Sequence, residues 1–191
     1  MNLKILNIDE IEYIHKNHIP TTFPKNEIRS FSSMKQLFDT GNYFVAAAYE
    51  QDELAIYGFF TVDTVNNNYM LDYFSTVDGK QGGGLGSEFL KNLPKLIPNY
   101  NIIFLEVERI EFAQNLKEKD IRERRIGFYQ RNNFTLSGVK SVVWDVPFNV
   151  MFYSKDKIAS NIQMEKAVTD IYKIIFPTKI FNEKVQIQSA K

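Results

Sequence analysis

The chain has 191 residues, of which 23 are Lys or Arg and 23 are Asp or Glu, so its formal net charge at pH 7 is zero. This length favours one folded domain, and the balanced charge argues against a nucleic-acid coat, which needs a strongly basic surface. There is no cysteine and there are only two histidines, which leaves little material for a disulfide framework, a zinc site or a serine–histidine triad. We therefore expect no metal.

Apolar residues make up 44% of the chain, enough for a packed interior. The longest unbroken apolar stretch, Tyr43–Tyr49, is far shorter than the roughly 20 residues that a membrane helix needs. Asp9, Glu10 and Glu12 stand where an export signal would need apolar residues. The sequence thus predicts a cytoplasmic protein that binds neither a membrane nor nucleic acid.

Hydrophobic periodicity in the first half of the chain predicts two helices followed by an antiparallel meander. A strand is expected at Leu3–Ile8 and a helix from Asp9, and Pro20 and Pro24 break the chain before the next helix. That second helix is predicted to begin with Asn26 as its cap and to end at Gly41. The predicted meander strands are Tyr43–Tyr49, Leu54–Val65 and Tyr69–Thr76.

The second half predicts helices alternating with strands, and then a long hairpin. The expected elements are a glycine-rich turn at Gly79–Gly86, a helix closed by Pro98, a strand at Ile102–Val107, a helix at Asp120–Asn132 with Asn133 as a left-handed cap, a hairpin of Thr135–Val146 and Phe148–Tyr153 around Pro147, and a helix at Asn161–Phe176. Pro147 gives the hairpin the character of a sheet edge.

This order of elements favours an α/β (α+β) fold with a mixed, mostly antiparallel sheet, because the strands that flank the glycine-led helix must be joined by a crossover. We expect one domain over residues 1–155. Residues 156–191 are predicted to form a C-terminal helix and tail that packs on this domain or at a subunit interface.

The glycine-rich turn is the strongest local anomaly, since it holds five of the nine glycines in the chain. Glycines allow successive backbone N–H groups to face one concave surface, and the helix that follows adds the positive end of its dipole. The turn therefore predicts a site for phosphate, most naturally a pyrophosphate. The alternative is an ordinary strand-to-helix turn that binds nothing.

Two common phosphate-binding motifs fit this turn poorly. A P-loop needs a lysine before its Ser/Thr, but Gly86 is followed directly by Ser87. A dinucleotide fingerprint needs a third glycine where Phe89 stands, although Glu106 lies at a plausible distance for a ribose contact. A nucleotide-binding Rossmann-type enzyme remains the less favoured alternative.

A third pattern fits better. Gln81-Gly82-Gly83-Gly84-Leu85-Gly86 matches Gln/Arg-x-x-Gly-x-Gly/Ala, and here the chain resembles the GNAT superfamily of acyl-CoA-dependent N-acyltransferases. Phe128-Tyr129-Gln130-Arg131-Asn132-Asn133-Phe134 is similar to a later block of that family, Tyr-x-x-x-Gly-Phe, with Asn133 in place of glycine. The strand residues Phe104–Val107 match as well. The resemblance spans Leu3 to about Tyr153.

The resemblance implies a three-layer fold with a central sheet of about seven strands and helices on both faces. The helix predicted at Asn161–Phe176 lies beyond the resemblance and is an extra C-terminal helix. The resemblance also implies acetyl-CoA as co-substrate. The residues implied in binding the pantetheine arm are Phe74, Ser75, Thr76 and Val77. Those implied in binding the pyrophosphate are Gln81, Gly82, Gly83, Gly84, Leu85, Gly86 and Ser87.

The same resemblance implies two catalytic residues. Tyr129 matches the family tyrosine that acts as general acid on the departing thiolate, although an aromatic residue on an amphipathic helix is also typical of a core. A protonated amine must lose a proton before it attacks, and Glu106 is the candidate base, because it lies on the strand that flanks the implied cleft and could act directly or through water. Glu108, two residues on, faces the same side and is the reserve. Either glutamate could instead bind a cationic substrate.

The acceptor is predicted only as a small-molecule or peptide amine. Tyr13, Phe23, Phe31 and Phe38 could line its pocket but are equally good core residues. Three arginines, Arg122, Arg124 and Arg125, could reach anionic groups or form a solvated face. The main alternative to an N-acetyltransferase is a non-catalytic acyl-CoA-binding regulatory module, and a homodimer is possible.

Overall fold

A computed structural model of the chain describes residues 1–154 and 159–189, which form two compact units. Unit 1 comprises Met1–Thr64 and Leu71–Pro98, and unit 2 comprises Val65–Met70 and Asn99–Lys191. One strand, β4 (Asn68–Thr76), begins in unit 2 and continues into unit 1.

Unit 1 is built from short helices and an antiparallel ladder. Its elements are β1 (Lys4–Ile5), α1 (Ile8–Asn17), α2 (Ile19–Thr22), a 3₁₀ turn (Lys25–Glu27), α3 (Phe31–Asp39), β2 (Tyr43–Glu50), β3 (Glu53–Asp63), the second part of β4, and α4 (Leu85–Leu96). Strand β2 pairs antiparallel with both β1 and β3, and β3 is the hydrogen-bonded neighbour of β4. The predicted meander strands are present.

The core of unit 1 lies where the first helices cover these strands. Ile11 and Ile14 of α1 and Met34 of α3 are at most 1% exposed, and they belong to one cluster with Tyr57 and Phe59 of β3. Spacing of three and four residues on each helix produces this single apolar face, as the periodicity predicts.

Three predicted boundaries in unit 1 are wrong, each for a local reason. The first strand is only Lys4–Ile5, because the Asn7 side chain caps α1 and forms a capping box with Glu10. The second long helix is capped by Ser30, whereas Asn26 lies in the 3₁₀ turn. The predicted chain break at Pro20 is also wrong, because Pro20 stands in the first turn of the short helix α2, where its missing N–H leaves no helical hydrogen bond unmade.

Unit 2 continues the sheet in a non-sequential order. Its elements are the start of β4, β5 (Ile102–Glu108), a 3₁₀ turn (Ile110–Phe112), α5 (Leu116–Arg131), β6 (Thr135–Val143), β7 (Val146–Ser154), α6 (Asn161–Ile175), α7 (Thr178–Lys184) and β8 (Val185–Ser189). The strand order is β4-β5-β7-β6-β8, with β4 and β5 parallel and the remaining neighbours antiparallel. The predicted mixed, mostly antiparallel sheet is confirmed, although the described residues contain eight strands instead of about seven.

The final hairpin differs from its prediction. Its turn is Trp144–Asp145, with φ of 51° and 66°, which is the backbone of a two-residue hairpin loop. Pro147 lies within β7 and not at the turn. The predicted edge is wrong, because β7 lies between β5 and β6 and the unpredicted strand β8 covers β6.

Helix α6 packs within unit 2. Met164, Val168 and Ile171 are fully buried against strand residues that include Phe104 and Val150. The predicted domain boundary between residues 155 and 156 lies outside the described residues and stays a prediction. Across residues 1–154 and 159–189, none of the helices combines the length and the apolar character that crossing a bilayer demands.

Candidate functional site

The glycine-rich turn connects β4 to α4 in unit 1. Gly82 and Gly84 have φ of 86° and 80°, a region that strongly favours glycine. Gly83 has no positive φ, and a Cβ built there would meet nothing within 4 Å. Neither the backbone nor the neighbouring atoms require Gly83 to lack a side chain. The result is an open main-chain surface that a ligand can approach closely.

Helix α4 begins without a side-chain cap, and its N-cap residue is Gly84. Its first intrahelical bond runs from Glu88 N to Gly84 O at 3.0 Å, so the amides of Leu85, Gly86 and Ser87 precede the first helical bond. Such N–H groups, together with the positive end of the helix dipole, favour an anion.

The other long helices start differently. Among helices of eight or more residues within the described ranges, α1, α3, α5 and α6 all have a side-chain cap, from Asn7, Ser30, Asn115 and Ser160 respectively. Only α4 leaves this position to the backbone, which is the arrangement expected at an anion site. A pyrophosphate therefore fits the residues present here.

Gln81, predicted as a cofactor-binding residue, bonds within the turn. Its Oε1 accepts from Gly79 N at 2.9 Å, and its Nε2 donates to Asp78 Oδ1 at 3.3 Å. The neighbouring Lys80 forms an ion pair with Glu53, with Nζ 3.4 Å from Oε2. The side chain of Gln81 thus shapes the turn, and the amides that follow it provide the anion-binding surface.

The predicted pantetheine residues lie at the end of β4 in unit 1. The Phe74 ring packs against Phe89 of α4, with ring centroids 5.1 Å apart. Beyond Thr76 the chain still bonds to β3, because Val77 N donates to Ala55 O at 2.9 Å. Ser75 Oγ donates to the neighbouring Thr76 O. This end of β4 is therefore held on one side by β3 and by its contact with α4.

The parallel ladder between β4 and β5 is short. Its pairs are Asn68 with Ile102, Tyr69 with Ile103 and Met70 with Phe104. In contrast, β5 remains paired with β7 as far as Glu108 opposite Phe148. A Rossmann-type enzyme is wrong for this fold, because that architecture needs a mostly parallel sheet.

Glu106 and Glu108 share one face of β5, as predicted, since they lie opposite Val150 and Phe148 of β7. Each glutamate contacts a different kind of side chain. Glu106 is half-buried, and its Oε1 accepts the hydroxyl of Ser141. Glu108 is ion-paired with Arg122 at 2.9 Å and with Arg125 at 3.6 Å. Accepting a proton at Glu108 would weaken two ion pairs, which argues against Glu108 as the base and keeps Glu106 as the candidate.

Arg122 is a structural residue, which corrects the prediction that it could reach an anionic ligand or lie on a solvated face. It is only 7% exposed and donates to Arg109 O at 2.6 Å and to Glu118 Oε1 at 2.8 Å. Arg124 is exposed. The spacing of Glu118 and Arg122, four residues apart on a helix, was the signal in the sequence for this pair.

Tyr129 lies near the end of α5 in unit 2 and is 9% exposed. Its ring contacts Phe128 and Phe134, with centroids at 5.1 and 5.6 Å. Burial raises the pKa of Tyr129 to about 12, although Arg125 lowers it slightly. The phenol therefore keeps its proton at neutral pH, as a general acid requires.

The chain leaves α5 as the sequence predicts. Asn133 has φ of 65°, which confirms the left-handed cap, and Phe134 N donates to Tyr129 O at 3.0 Å. This bond ties the start of the Phe134 segment to the helix that carries the tyrosine.

The aromatic residues predicted for an acceptor pocket separate into two groups, both within unit 1. Phe23, Phe31 and Phe38 pack against the buried core. Tyr13 is 59% exposed and lines a cavity of about 690 Å³ whose wall also carries Asp9, Glu10, Asp52, Glu53 and Asp78.

No protein-family model and no curated protein sequence matches the chain. Several solved structures are similar to the chain in fold. A structure from Bacteroides thetaiotaomicron, described as an acetyltransferase of the GNAT family, has a TM-score of 0.70 at 20% identity and covers 91% of this chain and 96% of its own. An aminoglycoside 6′-N-acetyltransferase complexed with coenzyme A has a TM-score of 0.58 at 16% identity, with 83% and 98% covered.

A spermidine N-acetyltransferase chimera from Vibrio cholerae also has a TM-score of 0.58, at 13% identity, with 82% of this chain and 98% of its own covered. Identities this low show a shared fold. The chain therefore has the fold of the GNAT acetyltransferases, which confirms the fold that the glycine and tyrosine motifs implied.

Proposed function

We propose that the protein is an acyl-CoA-dependent N-acetyltransferase that transfers an acetyl group from acetyl-CoA to a primary amine by direct attack in a ternary complex. The observation that carries this proposal is the uncapped start of α4, preceded by an open glycine turn, on a chain with the GNAT fold. Similar structures include an N-acetyltransferase complexed with coenzyme A, which supports the choice of donor.

The donor is assigned to the end of β4 and the turn that follows. Backbone amides from Gly82 to Ser87 would hold the pyrophosphate, and the main chain of Phe74–Val77 would bind the pantetheine arm as an added strand does. The positive φ of Gly82 and Gly84 supports this assignment, because this backbone conformation, which other residues rarely adopt, can turn successive N–H groups toward one anion. Acetyl-CoA supplies the thioester that is broken in the reaction.

Glu106 and Tyr129 are assigned the two proton transfers. Glu106 takes a proton from the amine, directly or through a water molecule, so that the neutral nitrogen can attack the thioester carbonyl. Tyr129 gives its proton to the departing sulfur of coenzyme A. The burial that keeps Tyr129 protonated and the hydrogen bond that Ser141 donates to Glu106 support these roles.

The acceptor is proposed only as a class, a small molecule or peptide that carries a primary amine. The first test is calorimetric titration with coenzyme A, followed by acetyl transfer from acetyl-CoA to a panel of amines. We expect binding and turnover with at least one amine. Absence of coenzyme A binding by the folded protein would overturn the proposal.

Two variants then test the assigned roles. Glu106→Gln is expected to lower kcat about 100-fold, and Tyr129→Phe to lower it about tenfold or more, with coenzyme A affinity retained in both. An exposed arginine on the same helix as Tyr129 offers a control, because Arg124→Ala should keep the parental kcat. Equal loss in all three variants would point to a change in fold instead of a loss of proton transfer.

A non-catalytic acyl-CoA-binding module is the second candidate. It is favoured by the packing of the Tyr129 ring between Phe128 and Phe134, which is also what a core aromatic shows. Tight coenzyme A binding with no turnover across the amine panel, in a well-folded parent protein, would select this candidate over the transferase.

A further inference from the structure

We infer that Ser141 positions the carboxylate of Glu106, and that a bulge in β6 is what brings it there. The inference rests on the proposed function in one respect, the assignment of Glu106 as the base. Ser141 is 1% exposed, and its hydroxyl donates to Glu106 Oε1. Ser141 is thus a positioning residue, since it acts through Glu106 and not on a substrate.

The two residues lie on strands that are not direct neighbours. Glu106 of β5 is opposite Val150 of β7, whereas Ser141 of β6 is opposite Phe148 on the other side of β7. Val150 and Phe148 are two residues apart, so their side chains share one face of the sheet. The hydrogen bond between Glu106 and Ser141 therefore passes over β7 on that face.

A bulge sets this register. Leu136 is opposite Met151 and Lys140 is opposite Asn149, so four residues of β6 span the length of two residues of β7. In a regular ladder continued from Leu136, Ser141 would be opposite Val146. Ser141 would then lie two residues, or about 7 Å, farther along β7 from Val150, the residue opposite Glu106. The two extra residues bring Ser141 within reach of Glu106.

Side-chain bonds hold the bulge in place. Ser137 Oγ donates to Val150 O at 3.0 Å and accepts from Val139 N at 3.0 Å. Gly138 N donates to Asn161 Oδ1, at the start of α6, at 3.1 Å. A Cβ at position 138 would lie 2.5 Å from Asn161 Nδ2, so this contact needs glycine. Bulges are common beside active sites, where they re-aim a side chain.

The hydroxyl of Ser141 serves a base better than an arginine would. A hydrogen bond donated to a carboxylate favours its charged form and restricts its rotamers. A base must be ionised before it can accept a proton, yet it must also accept one readily. The Ser141 hydroxyl orients Glu106 through a hydrogen bond, whereas Arg122 places a full positive charge beside Glu108.

The test is a graded series at position 141, measured as the pH dependence of acetyl transfer. Ser141→Ala is expected to lower kcat at neutral pH about tenfold, to leave the KM values for amine and acetyl-CoA within about twofold, and to move the acid limb of the profile up by about one pH unit. Ser141→Cys, which keeps a weak donor of similar size, should fall between the parent and Ser141→Ala.

A matched control exists in the same unit. Ser189 also donates its hydroxyl to a glutamate, Glu165 of α6, and neither residue belongs to the proposed site. Ser189→Ala removes the same kind of bond and should keep the parental kcat and pH profile. In a Glu106→Gln background, Ser141→Ala should cause no further loss of kcat. A parental pH profile in Ser141→Ala, or an equal shift in Ser189→Ala, would overturn the inference.

A second measurement separates this inference from the proposed function. If the parent protein acetylates no amine, the transferase proposal fails. The positioning role can still be read from a carbon-13 NMR titration of the Glu106 side-chain carboxyl. Its midpoint is expected to rise in Ser141→Ala and to stay unchanged in Ser189→Ala. An unchanged midpoint in Ser141→Ala would overturn the positioning role whatever the protein catalyses.

Discussion

Helices α4 and α5 begin in opposite ways. At α5, Asn115 Oδ1 accepts from Glu118 N at 2.9 Å, and the Glu118 carboxylate binds Arg122 and Gln114 N. At α4, the N-cap is a glycine in the left-handed region, which provides no side-chain cap. The chain satisfies one helix start with its own side chains and leaves the other uncapped, where we propose that the pyrophosphate binds.

The contrast teaches where to look for a ligand. Every helix start carries N–H groups without intrahelical partners, so the start itself does not discriminate. The presence or absence of a side-chain cap does distinguish a helix start that is already satisfied from one that is open to a ligand. At α5 the charges are also internal, because Arg122 links Glu108 and Glu118. We therefore expect changes at α5 to affect stability and changes at α4 to affect ligand binding.

The largest expected effect is at Arg122. Arg122→Met should lower the free energy of unfolding by about 3 kcal/mol, because Glu118 loses its ion pair with a buried guanidinium and Glu108 keeps only the longer contact with Arg125. Urea denaturation measures this change. Arg124→Ala, at an exposed position of the same helix, should change the free energy of unfolding by less than about 0.5 kcal/mol. Similar losses in the two variants would mean that the buried ion pairs do not anchor α5.

The next effect tests α4. Gly84→Asp should weaken coenzyme A binding about 100-fold, because it adds a negative charge at the positive end of the helix, where we place the pyrophosphate. Gly84→Asn is the matched control, since asparagine has a similar shape, no charge, and tolerates positive φ. It should bind within about fivefold of the parent. Calorimetry that finds equal affinity in Gly84→Asp and the parent would remove the anion site from this turn.

A smaller effect is expected at the capped helix. Asn115→Ala should lower the free energy of unfolding by about 1 kcal/mol, the usual cost of losing an N-cap, and should leave coenzyme A affinity unchanged. Thermal and urea denaturation measure the first quantity, and calorimetry the second. A marked drop in coenzyme A affinity would show that the capped start also takes part in ligand binding.

The smallest effect at neutral pH concerns Tyr129, at the far end of α5. Its pKa is about 12 against an ordinary 10.0, so burial of the neutral phenol contributes stability that is fully present below pH 10 and is lost as the pH rises through 12. Tyr129→Phe should reduce the loss of stability across that window. Tyrosinate absorbance and urea denaturation at each pH measure it. An identical pH dependence in parent and variant would contradict the buried phenol.

Much of the fold was visible in the sequence, because it depends on local residue types. The glycine turn, the strands Tyr43–Glu50 and Glu53–Asp63, and the left-handed Asn133 all follow from turn chemistry and alternation. The early start of α5 at Leu116 was missed because its first turn is largely polar and exposed, so no apolar stripe marks it. Its marker is the cap at Asn115.

The candidate site was only partly predictable. Glu106 and Tyr129 could be named from motifs, but the partner of Glu106 depends on a two-residue shift in β6 that no local pattern encodes. The last strand was also beyond the sequence patterns used, since Val185–Ser189 is short and its alternation becomes informative only beside β6. Contacts between distant segments decide both features.

Strand β8 has a practical consequence for handling the protein. It covers the outer side of β6 and places Ile187 opposite Ser141. A chain trimmed before Val185 would leave a row of bare amides and carbonyls on β6, which invites self-association, and would free the segment that holds Ser141. Poor solubility of a version shortened at this end should therefore be attributed first to the lost strand.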